Sequence, residues 1–246
     1  MPRGSTPILL LLLGIFPVVP ISAQTISTTT ASSNADGRVL KTPYSAQRRF
    51  TSIEKMPDGT TGSSVSGGSE ARDSQGRTYS AGERHWTYLH QGKSVLKSEM
   101  LYRINDPVSN TETRWDSTTK EVKVIHWPKG SPAGNACSQC SAFMSDASGT
   151  IVEKLGVRTI GGVVAEGTRS TYAVVNAQDQ NGKTLNVVHE SWYCPELKIV
   201  VLETNDDQRT GTTKNELVGI VRGEPDVTKY RHPSDYVVRD LRLPVQ

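Results

Sequence analysis

The chain has 246 residues, a formal net charge of +3, 35% hydrophobic and 22% charged residues. That length suits one β-rich domain or two small ones, and the composition is polar without being that of a disordered chain. So weak a basic balance gives no reason to expect nucleic-acid binding, and no segment after residue 24 is long and apolar enough to cross a bilayer.

The first element is a targeting segment. Arg3, an apolar stretch from Pro7 to Val19 and Ile21-Ser22-Ala23 before Gln24 form the pattern of a secretory signal peptide over residues 1–23. No Cys stands near the cut, so lipidation there is not expected, and the mature chain is expected in the periplasm or outside the cell. Residues 24–42 follow as a leader in which Ser and Thr dominate from Thr25 to Asp36, without an apolar period. Residues 43–246 then read as a single β-rich domain.

Turn signals and β-prone segments alternate through that domain. Pro57-Asp58-Gly59-Thr60, Asp73-Ser74-Gln75-Gly76-Arg77 and Asn181-Gly182 are turns. Leu101 to Ile104, Val122 to His126, Ser170 to Val175, Leu185 to Tyr193, Ile199 to Leu202 and Leu217 to Val221 read as strands. In the second of these, Val122, Val124 and His126 share one face and Lys123 and Ile125 the other. Turn-length gaps favour an antiparallel meander over a parallel sheet with crossover helices. A short helix is expected at Ala147 to Leu155, stopped by Gly156, and one further turn at Pro225 to Tyr230. Residues 129 to 149, rich in Gly, Ser, Ala and Pro, read as a loop.

Motifs that carry chemistry are few. Cys137-Ser138-Gln139-Cys140 has the spacing of a thiol-disulfide pair, in which one thiolate attacks and the second resolves. With Cys194 as third cysteine, an oxidising compartment allows a local Cys137–Cys140 bridge or a longer bridge from either to Cys194. No second Cys or His pair completes a zinc set, and no Gly-x-Ser-x-Gly elbow or phosphate loop is present. No metal, cofactor or catalytic residue is therefore expected, and an enzyme is the less favoured reading.

Taken in order, Arg72 to Thr78, Ile104 to Val108, Glu153 to Gly156, Ile160 to Arg169, Glu190 to Leu197, Arg222 to Asp226 and Pro233 to Tyr236 resemble a family of secreted proteins of unknown function common in soil Acidobacteria. Cys194 departs from that family, which usually has Ser before this Pro. More distantly, the turn-linked meander, the step from Leu155-Gly156 through Ile160 to Gly162 into a long hairpin, and the closing Pro233 to Tyr236 are similar to the LolA-like lipoprotein-carrier and outer-membrane lipoprotein-sorting superfamily. That resemblance implies a mainly β fold, a curved antiparallel sheet forming an open half-barrel with one or two short helices, whose concave face holds an acyl chain. It transfers no particular residue.

Such a face needs inward apolar side chains, and Val122, Val124, Leu185, Val187, Val218 and Ile220 are the candidates. The leading expectation is an exported, non-enzymatic binding or carrier protein for a hydrophobic small molecule or lipid, or for an envelope partner protein. The alternatives are a thiol-disulfide protein using Cys137 and Cys140, and an envelope structural or stress-sensing module that pairs by a sheet edge.

Overall fold

The computed structural model describes residues 40–242 apart from Pro57, Gly92, 129–148 and 176–183. The signal segment, most of the leader and the Cys137–Cys140 loop lie outside the described residues. Twelve strands make one open, curved sheet in the order β12-β6-β5-β4-β3-β2-β1-β11-β10-β9-β8-β7. They are β1 (Tyr44–Lys55), β2 (Thr61–Arg72), β3 (Thr78–His90), β4 (Lys93–Asp106), β5 (Thr111–Asp116) and β6 (Glu121–His126), then β7 (Ile151–Ile160), β8 (Val163–Val175), β9 (Thr184–Cys194), β10 (Ile199–Asp207), β11 (Gly211–Arg222) and β12 (Val237–Arg242). Every pairing is antiparallel except β12 against β6, which is parallel. The expected mainly β, open and curved antiparallel sheet is therefore the fold observed.

The meander closes in the middle. β1 and β11 pair from Tyr44–Arg222 to Glu54–Gly211, joining the run β1 to β6 to the run β7 to β11. Gly211 permits the far end of this pairing: its φ is +114°, and a Cβ there would stand 1.9 Å from the Ile53 carbonyl oxygen. No L side chain fits that approach.

One expected element is corrected. Ile151 to Leu155, read as the end of a helix stopped at Gly156, belongs to β7. Gly156, at φ +80°, sits at a register shift of the β7–β8 ladder rather than at a helix end. The turn expected at Pro225 to Tyr230 is present as a 3-10 turn at Val227–Tyr230, capped by the Asp226 carboxylate accepting from the Thr228 N–H.

Two apolar clusters hold the sheet. The larger gathers Tyr44 and Ala46 of β1, Val163 and Ala165 of β8, Trp192 and Cys194 of β9, Leu197, Val201 of β10 and Leu217 of β11. The smaller is Ile104, Trp115 and Val122, with Tyr79, Tyr102, Val124, Tyr230 and Tyr236 packed on it. Tyr230 and Tyr236 lie in the segment from β11 to β12, so the chain crosses one face of β3 to β6 before adding its last strand.

Candidate functional site

Small residues set the depth of the site. Ser66 and Gly68 of β2 and Ser80 and Gly82 of β3 alternate on one face and leave a low floor. Phe50 on β1 stands on one side of that floor and Leu101 on β4 on the other, both more than a third exposed. The result is a groove of about 840 Å³ that continues over β5 and β6, where Arg103, Arg114 and Lys123 line it. Gly68 cannot carry a side chain, because its Cβ would meet the Ala81 carbonyl oxygen at 2.2 Å.

Register explains the wall. Arg48, Gly68, Gly82, Leu101 and Asp116 are successive partners across β1 to β5. One row over, Glu70, Ser80, Arg103, Arg114, Lys123 and Arg239 are successive partners from β2 to β12. Residues directly opposite one another project to the same face, so four basic side chains stand side by side. Glu112, 2% exposed, takes Nε of both Arg103 (2.9 Å) and Arg114 on one carboxylate oxygen. Glu121 accepts from Arg239 Nε at 2.7 Å and lies 3.9 Å from Lys123 Nζ.

The remaining carboxylates of the wall are held by other partners. Glu70 accepts from the Tyr44 hydroxyl at 2.8 Å and from Arg48 Nε at 2.7 Å. Burial and the Glu70 carboxylate push the Tyr44 phenol well above its usual range. Burial raises Asp116, but the Thr118 hydroxyl and N–H and the Thr119 N–H and hydroxyl outweigh it and bring its pKa down to about 2.

None of the six apolar candidates lines this groove, and the structure does not bring them onto one face. Val122 is fully buried in the smaller cluster and Val124 packs against it, on the face opposite Lys123. Leu185 and Val187 project together; Val187 opposes Asp207, which opposes Gly211, which opposes Glu54, on the side of Phe50 but in the other half of the sheet. Val218 opposes Gln47 on the reverse side. Ile220 turns to the side of Leu217 and packs on the larger cluster, because Gly219 at φ +60° adds a residue between them.

Cys194 is a free and fully buried thiol in the larger cluster, and Cys137 and Cys140 lie outside the described residues. Among the described residues, no three His, Cys, Asp or Glu side chains gather where a metal ion would sit. No helix among them is long and apolar enough to cross a membrane.

Lys123 and Ile125 lie opposite Val122 and Val124, as the alternation predicts, but the apolar side is not the grooved one. The groove is on the Lys123 side. Phe50, Leu101, Arg103, Arg114 and Arg239 share no local sequence pattern, since only the strand register aligns them, and for Arg239 that register joins strands distant in the chain. The available signal was the run of Ser and Gly from Gly62 to Ser69, which marks a face built without bulk.

No family model matches the chain, and no curated protein matches it. Among solved structures it is similar to a crystal structure described as an outer membrane lipoprotein-sorting protein domain from Vibrio parahaemolyticus, at 8% identity and a TM-score of 0.27, covering 76% of this chain and 88% of that one. The class that the described residues define is that of open single-sheet β proteins with one face grooved. Function is argued below from the groove's own residues.

Proposed function

We propose that this chain is an exported, non-enzymatic binding or carrier protein, and that its occupant is a single-chain amphiphile lying in the groove over β2 and β3. The observation that supports this reading is the low floor of Ser66, Gly68, Ser80 and Gly82 between Phe50 and Leu101. Three strand spacings separate β1 from β4, about 14 Å, so the channel admits a slender chain without displacing backbone. Phe50 and Leu101 supply apolar contact on its two sides, while the row beyond Leu101 presents charged groups. A fully apolar occupant would leave that row desolvated and unmatched, which disfavours a simple hydrocarbon.

Native mass spectrometry of the purified protein, before and after organic extraction, tests the reading. An adduct of lipid mass that extraction removes, and that Leu101→Asp fails to retain, is the expected result. A clean mass for the unextracted protein, or an adduct indifferent to Leu101→Asp, overturns it; co-isolation of a protein instead would make this face a protein-docking surface.

A further inference from the structure

The row Arg103, Arg114, Lys123 and Arg239 is hard to explain as a stabilising feature. Like charges directly opposite one another in a sheet repel, and here four occupy consecutive positions in β4, β5, β6 and β12. Two carboxylates, Glu112 and Glu121, are ion-paired to these four cations among the described residues. Both arginines meet Glu112 through Nε, and no described residue gives the Nη groups of either another partner. Their side chains are nearly half exposed, at 48% and 46%, and both line the groove. Glu112 therefore acts as a fixed post: buried beneath the two guanidiniums, it holds their Nε edges and leaves the outer edges for a second anion.

Resting on the proposed function, we infer that this row reads the headgroup of the bound amphiphile, and that the headgroup is anionic, of the phosphate or carboxylate kind. Leu101 is two residues from Arg103 on the same face of β4, so a ligand seated against Leu101 has its polar end within reach of the row. Of the other carboxylates of the wall, Glu70 is paired with Arg48. Asp116, ionised and held by the neutral donors of Thr118 and Thr119, offsets one charge, which leaves the cations of the wall one ahead of these carboxylates among the described residues.

Isothermal titration calorimetry with decyl phosphate, decanol and inorganic phosphate, on the protein after organic extraction, tests this. Decyl phosphate should bind about tenfold or more tighter than decanol, the size of one charge-assisted hydrogen bond. The difference should shrink at high salt, and shrink again in Lys123→Gln/Arg239→Gln, which leaves the buried Glu112 with both its arginines. Thermal unfolding of the double variant verifies that it is folded. Equal binding of decyl phosphate and decanol, or an undiminished difference in the folded double variant, overturns the headgroup inference while the groove reading stands. Inorganic phosphate binding as tightly as decyl phosphate also overturns it, the row then being a site for free anions. Absence of binding by both decyl compounds overturns the groove reading itself.

Discussion

The indole of Trp192 fills the space that a side chain at Gly167 would need. The two are direct partners across β8 and β9, and a Cβ on Gly167 would stand 2.7 Å from two carbons of the Trp192 ring and 2.9 Å from Leu155 Cβ. The Arg158 guanidinium carbon lies 3.9 Å from the centroid of the same indole. Trp192 is thus fixed between a bare backbone and a cation, in the larger of the two cores.

Gly167→Ala should therefore destabilise the protein by about 1–3 kcal/mol, the range for overpacking a filled core. Urea unfolding followed by tryptophan fluorescence measures this. Gly59→Ala is the matched comparison: that residue has a positive φ but open space around it, so its loss is limited to backbone strain of about 1 kcal/mol.

Arg72 joins β2 to two other stretches of chain. Its guanidinium donates to the carbonyl and the hydroxyl of Thr42 and to the Leu197 carbonyl, and lies 5.0 Å from the Tyr44 ring centroid. Arg72→Lys keeps the charge but not the fork. It should lower stability by roughly 3 kcal/mol, since buried carbonyls lose their donor, and the urea midpoint should fall accordingly.

Acid should unfold the protein partly through Asp116 and Asp207. The hydroxyl and N–H donors of Thr118 and Thr119 overcome burial and bring Asp116 from 3.8 to about 2; the Arg209 guanidinium, against opposing burial, lowers Asp207. A carboxyl depressed in the folded state adds stability above its unfolded pKa and loses it as pH falls through the folded one. For Asp116 that window runs from about pH 4 down to about pH 2. Thermal melting in steps across it should show the loss, and Asp116→Asn should flatten the curve there while lowering the melting temperature at neutral pH.

Val122→Ala should destabilise by about 2 kcal/mol, because the side chain is fully buried and the surrounding sheet cannot close the cavity. Tyr230→Phe should leave stability unchanged or raise it, since the buried hydroxyl has no hydrogen-bond partner among the described residues. Chemical denaturation of both single variants checks the pair.

The strands rich in Val and Ile were legible in the sequence, and with them the open antiparallel sheet. β1 to β3 were not, because the groove asks β2 and β3 for Ser and Gly where a packed strand would have bulk. Gly156 and Gly219 misled for a related reason: each lies inside a strand at positive φ, where it shifts the alternation that a period of two assumes. The basic row was hidden more deeply. Arg103 and Arg239 are distant in the chain, and the parallel pairing of β12 with β6 that aligns Arg239 with Lys123 has no local signature.

That last pairing also bears on when the protein finishes folding. Tyr230 and Tyr236, which cover Ile104, Trp115 and Val122, are synthesised more than 100 residues after β6 begins with Glu121, and β12 comes after them. The central β1–β11 ladder likewise waits for residues 211 to 222. Neither core is complete on a growing chain, and contacts so far apart in sequence form slowly. A nascent chain that has not yet added Val227 to Arg242 would hold β4 to β6 with their aromatic face bare, so that face stays open to proteases and to chaperones until this segment has been made.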